Sequence, residues 1–150
     1  MTDQSNPAGL DPLRPAPAGM TAAELRPPVV AESGDPFAAA RVVELLARLP
    51  RGRAVPLASI VDRLNAMYLD WLFESRVVAD AVIQLQANWL ADYRNASGIV
   101  FDDGPAGPML MIEDSSRVDP WIVRQAARLA AECRDVLDAF SRRDRRAGEG

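Results

Sequence analysis

Apolar residues recur at three- and four-residue spacings in four stretches of this chain, and each predicts a helix with one face turned to a core. Ala38, Val42, Leu45, Leu46 and Leu49 share a face until Pro50-Arg51-Gly52-Arg53 breaks the run. Over residues 56–72, Ile60, Val61, Leu64, Met67, Tyr68, Trp71 and Leu72 stand at core spacing. Residues 75–94 carry Val78, Ala81, Val82, Leu85 and Trp89 on one side. Residues 119–141 carry Ile122, Ala126, Leu129, Cys133, Val136 and Phe140 in alternating fours and threes, a seam with coiled-coil rhythm. Between the last two, Gly98-Ile99-Val100-Phe101 and Met109-Leu110-Met111-Ile112 flank Asp102-Asp103-Gly104-Pro105-Ala106-Gly107-Pro108, which predicts a β-hairpin across turn residues.

The punctuation agrees with the periodicity. In Asp35-Pro36 the aspartate can accept from the orphan amides of a first turn, and proline at the first helical position forfeits no hydrogen bond. Asp119-Pro120 repeats that signal before the last helix. Arg53 to Asn65 reads as a short extended piece feeding an amphipathic helix. Residues 1–34, with six prolines among small and polar residues, cannot bury enough apolar area to offset the ordering entropy and read as a disordered Pro/Ala-rich tail. Leu64, Tyr68, Trp71, Val78, Val82 and Leu85 nearly keep one phase, so residues 56–94 can be two helices or one long one.

The order helix, short strand, helix, helix, hairpin over residues 36–114 resembles a winged helix-turn-helix domain. The resemblance lies in element order and pattern, and matches no particular family within that group. The expected fold is therefore mainly α with a small β-hairpin (α+β): a winged-helix-like domain over 35–118, a packing or dimerisation helix over 119–141, and a flexible Arg-rich tail over 142–150. An unbroken helix through 56–94 would replace it by a long helical hairpin.

Composition narrows the classes. At 150 residues, 49% hydrophobic and 25% charged, the chain is expected to form one ordinary globular domain. A single cysteine, Cys133, cannot form an intrachain disulfide. Met1 to Pro7 lack the basic and apolar regions of a secretory signal, and no apolar run approaches the roughly 20 residues that span a bilayer. The expected location is the cytoplasm, with no membrane partner.

With no His, no Lys and its one Cys on a helix seam, the chain lacks the usual general base, Schiff-base amine and Cys/His pair, and it has no zinc ligand set. Asp102-Asp103 and Glu113-Asp114 are paired carboxylates, but neither EF-hand spacing nor a Gly-rich phosphate loop accompanies them, and Asp in a turn is ordinary turn chemistry. The expectation is a non-enzyme without metal or cofactor.

Two functions follow from the resemblance. Winged helices most often bind duplex DNA, and Arg51, Arg53, Arg63, Arg76 and Arg94 are the candidate nucleic-acid contacts of a transcriptional regulator. Charge argues the other way: residues 35–118 hold eight Arg against eleven acids, and Asp102 and Asp103 would approach a phosphate strand with the wrong sign. The outer face of the 75–94 helix carries Ile83, Gln84, Ala87 and Ala91, a surface suited to protein. The favoured expectation is an adaptor or assembly subunit with a protein partner, acting as a homodimer if Ile122 to Phe140 pair between copies, whereas the same seam could instead complete its own domain.

Overall fold

The computed structural model describes residues 27–95 and 98–149. They form, in chain order, β1 (Val29–Val30), α1 (Pro36–Leu46), β2 (Val55–Pro56), α2 (Leu57–Met67), β3 (Trp71–Leu72), α3 (Ser75–Tyr93), β4 (Ile99–Gly104), β5 (Gly107–Ile112) and α4 (Val118–Glu149). The fold is mixed α and β, four helices around a three-stranded antiparallel sheet of order β2-β5-β4.

The start of α1 is as its sequence predicts: Asp35 accepts from the Phe37 amide at 3.0 Å and Pro36 occupies the first turn. Ala38, Val42, Val43, Leu45 and Leu46 are buried, so the helix contributes two adjacent apolar rows to the core. Arg51 closes its far end. Its guanidinium donates to the carbonyls of Leu46, Ala47 and Leu49 at and just past the helix end, where Leu46 O also accepts from Leu49 N at 3.2 Å. Gly52 then turns with φ of 71° and donates to Ile112 O at 2.7 Å, which brings the chain to the sheet.

In that sheet Val55 lies opposite Leu110, and Leu110 lies opposite Phe101 on its other side. Pro56 is tolerated because β2 is an edge strand, where a missing amide leaves no inner ladder bond unmade. The hairpin is longer than its sequence pattern predicts. Its ladder runs to Gly104 opposite Gly107, so only Pro105 and Ala106 turn, and Asp102 and Asp103 lie on a strand instead of in a loop. Gly107, at φ of 114°, supplies the backbone conformation that so tight a return requires.

Residues 56–94 are two helices. The near-continuous apolar phase is broken after Met67, where Asn65 reaches ahead and binds both backbone groups of Phe73. Its Oδ1 accepts from Phe73 N at 2.8 Å and its Nδ2 donates to Phe73 O at 3.1 Å. Phe73 is thereby buried, while Leu72, read as part of a helical core stripe, is exposed in β3.

Three boundaries move. Residues 27–34 are not tail: β1 pairs in parallel with β3, Val29 N donates to Asp70 O and Ala31 N to Leu72 O, each at 2.9 Å, and Ala31 is in the core. The rest of the tail read from the sequence, residues 1–26, lies outside the described residues. At the other end α4 begins at Val118, so Asp119 sits in its first turn and does not cap it. The helix also runs through residues 142–149, where a flexible tail was expected.

The first part of α4 completes the core. Val118, Trp121 and Ile122 are buried, and Trp121 meets Trp89 edge-on with centroids 5.1 Å apart, a contact worth about 0.5–1.5 kcal/mol beyond its buried area. Its indole N–H is satisfied by Asp92 Oδ2 at 2.7 Å. Arg51 donates to Asp119 at 2.6 Å at one end of α1, and Arg128, Leu129 and Glu132 join Asp35 and Pro36 in lining one cleft at the other, so α4 lies antiparallel on α1.

Candidate protein-interaction surface

Burial of Val77, Val78, Val82, Leu85 and Trp89 fixes which side of α3 faces outward. On that side Ile83 is 51% exposed and Leu90 48% exposed, and the exposed Ala87 stands between them. Spacings of four and three put these residues in one stripe, with Ala91 beside it. Of the expected face, Ile83, Ala87 and Ala91 therefore point to solvent. Leu90, which the sequence reading did not single out, completes the stripe, and its signal was the i, i+7 relation to Ile83.

Gln84 is exposed as well, and it also lines the cleft beside α4. It donates to Asn88 Oδ1 at 3.0 Å, and Asn88 donates to Gln125 Oε1 of α4 at 3.3 Å. Gln125 is buried, so this amide relay carries polar character from the α3 surface into the α4 contact. The relay lies in a cleft of about 380 Å³ between the start of α1, α3 and α4, whose rim includes Asp35, Asp80 and Arg128. Ser33 Oγ donates to Asp80 Oδ2 at 2.6 Å and ties the lead into α1 to α3. The apolar stripe thus borders a polar cleft.

The five arginines proposed for nucleic acid lie on different parts of the fold. Arg51 is engaged by the carbonyls at the end of α1 and by Asp119. Arg53 and Arg63 are exposed, on the approach to β2 and on α2. Arg76 stands 3.7 Å from Glu74. Arg94 takes a left-handed conformation, φ 59°, to cap α3. Eighteen residues separate Arg76 from Arg94, five whole turns, so they share a stripe but stand about 27 Å apart along it, with Asp80 and Ile83 between. At the hairpin the Asp103 amide donates to Asp102 Oδ1 at 2.8 Å, and both acids face solvent.

The seam of α4 divides. Ile122 is in the core and Leu129 packs against it, so these two belong to the chain's own domain. Cys133 and Val136 are half-buried, while Ala126 and Phe140 are exposed. Burial pushes the Cys133 thiol up from its ordinary value, away from thiolate character. Among the described residues no group of three or more His, Cys, Asp or Glu side chains could hold a metal ion, and no helix is long and apolar enough to cross a membrane. No family model, curated protein or solved structure matches the chain.

Proposed function

We propose that this chain is a non-catalytic, winged-helix-like interaction protein, an adaptor or assembly subunit that docks a protein through the outer face of α3. Support for the architecture is the order α1, β2, α2, α3, β4, β5 together with the pairing order β2-β5-β4, in which the strand between the first two helices joins the second strand of the hairpin. In a DNA-reading helix pair the second helix lies in the major groove and offers polar side chains to base edges. Here that helix offers Ile83, Ala87 and Leu90, and this stripe is the observation that carries the reading. Isolated exposed apolar residues are ordinary, but three aligned on one helix form an anchor row for another protein's groove or helix.

The exposed Arg53, Arg63, Arg76 and Arg94 favour the second reading, a DNA-binding regulator, and one pair of measurements separates the two. A photo-crosslinking residue at position 83, in the native host, should capture one discrete protein species, and the same residue at Arg48 should not. Duplex binding followed over a salt series should be weak at physiological salt. Tight duplex binding whose log–log salt slope falls by about 1 for each of Arg76→Ala and Arg94→Ala, with no crosslink at position 83, would replace the adaptor by the regulator.

A further inference from the structure

Beside the row that packs on α1, α4 carries a second apolar row that no other element covers, its last ring, Phe140, having only the Arg143 guanidinium of the same helix over it at 5.7 Å. Val123, Ala126, Ala130, Cys133, Leu137 and Phe140 follow one another at three, four, three, four and three residues, the spacing of a two-helix seam. Val123 is 67% exposed, Leu137 54% and Phe140 55%, Ala126 and Ala130 are exposed, and only Cys133 is half-covered. The row shares Ala126, Cys133 and Phe140 with the expected seam and takes Val123, Ala130 and Leu137 in place of Ile122, Leu129 and Val136, which stand one residue earlier in each case, and this turns it by about a seventh of a circle.

We infer that this row is the contact between two copies of the chain, packed antiparallel about a two-fold axis passing between Ala131 and Glu132. The side-chain sizes choose the partner and its direction. An isologous interface must be complementary to itself. Reversing α4 about that axis sets Val123 on Phe140, Ala126 on Leu137 and Ala130 on Cys133, so in the outer layers the smaller side chain of one copy meets the larger of the other. A parallel pair would stack Phe140 on Phe140 and leave alanine against alanine. The alanines also allow close approach, toward the 8 Å end of interhelical spacing.

The shape of the fold gives the same answer. α1 reaches only to Asp35, near the level of Glu132, so the later turns of α4 extend past the helix it packs on and leave Leu137 and Phe140 more than half exposed. In the antiparallel pair each overhang lies along the other copy's stem, and the covered row is about 26 Å long. This contact is separate from the α3 face and stands whatever α3 binds.

Sedimentation at about 100 µM protein should show a species of twice the 16.3 kDa chain mass. Leu137→Glu and Ala126→Glu should each give a folded monomer with an unchanged helical spectrum, because both positions are exposed in the single chain, whereas Ile83→Asp should leave the dimer intact. The level pair offers a rescue: Ala126→Arg combined with Leu137→Glu should restore the dimer through facing opposite charges. Orientation is read by oxidation. Ala130→Cys should crosslink to Cys133 of the other copy while the parent chain, whose two Cys133 residues stand on different levels, should not. A wild-type monomer, a dimer indifferent to Leu137→Glu, or rapid Cys133 to Cys133 crosslinking of the parent chain would each overturn the inference.

Discussion

The backbone of Gly98 lies directly against the indole of Trp89, and a Cβ at that position would overlap Cε2 and Cζ2 of the ring. Trp89 is itself fully buried and clasped by Trp121 and Tyr93. It cannot swing aside without opening the α3 to α4 contact. Gly98→Ala should therefore destabilise the fold by about 3 kcal/mol, the upper range for overpacking, as read by the denaturant midpoint. An unchanged midpoint would mean that the hairpin can shift as a unit.

Arg51 and Asp119 form an ion pair whose two ends carry unequal weight. Asp119 is exposed, so Asp119→Ala removes a surface charge pair and should change stability by less than about 1 kcal/mol. Arg51→Ala also removes a donor from three carbonyls at and just past the end of α1, those of Leu46, Ala47 and Leu49, and should lower stability by about 2 kcal/mol. Equal losses in the two variants would show that the carbonyl contacts contribute nothing.

Tyr68 donates its phenol proton to Glu44, and burial first, with that carboxylate second, pushes its pKa up to about 12. Because the folded value is raised, the folded chain holds this proton more tightly than the unfolded one. The contribution to stability is full below pH 10 and is lost as pH rises from about 10 to about 12. The stability difference between wild type and Tyr68→Phe should thus be flat from pH 7 to about 9 and shrink above it. In tyrosinate absorbance, the phase missing from the variant should have its midpoint near 12.

Chains beginning at Pro27 and at Asp35 should differ in stability by about 2–3 kcal/mol. The longer one keeps Ala31 in the core and two β1 to β3 hydrogen bonds, each worth about 1 kcal/mol. Matching thermal unfolding curves would show that β1 is not integral to the fold.

What was legible in the sequence was local. Asp35-Pro36, the rows Ala38 to Leu49 and Val78 to Trp89, and the two strands of the hairpin depend on neighbours a few residues away, where periodicity and capping act. What escaped depended on distant partners. β1 exists because Val29 meets Trp71, forty-two residues away, and a two-residue strand leaves no periodic signal of its own. The break between α2 and α3 is made by a side chain, Asn65, bonding a backbone eight residues ahead. On α3, Ile83 was legible as an outward residue and Leu90 was passed over. On α4 the apolar positions are so many that two rows fit the same rhythm, and only the position of α1 decides which one is covered.

The antiparallel packing of α1 and α4 joins the first helix of this chain to its last, and that has a consequence for synthesis. Val42, Leu45 and Leu46 leave the ribosome long before Trp121 and Ile122 exist to cover them, and at about 5–20 residues per second the intervening stretch of some 75 residues takes roughly 4–15 s to make. Through that interval the side of α1 that α4 covers stays open, even after α2 and α3, which also pack on α1, have been made. Folding closes late, on the arrival of α4, the element that brings Trp121 against Trp89.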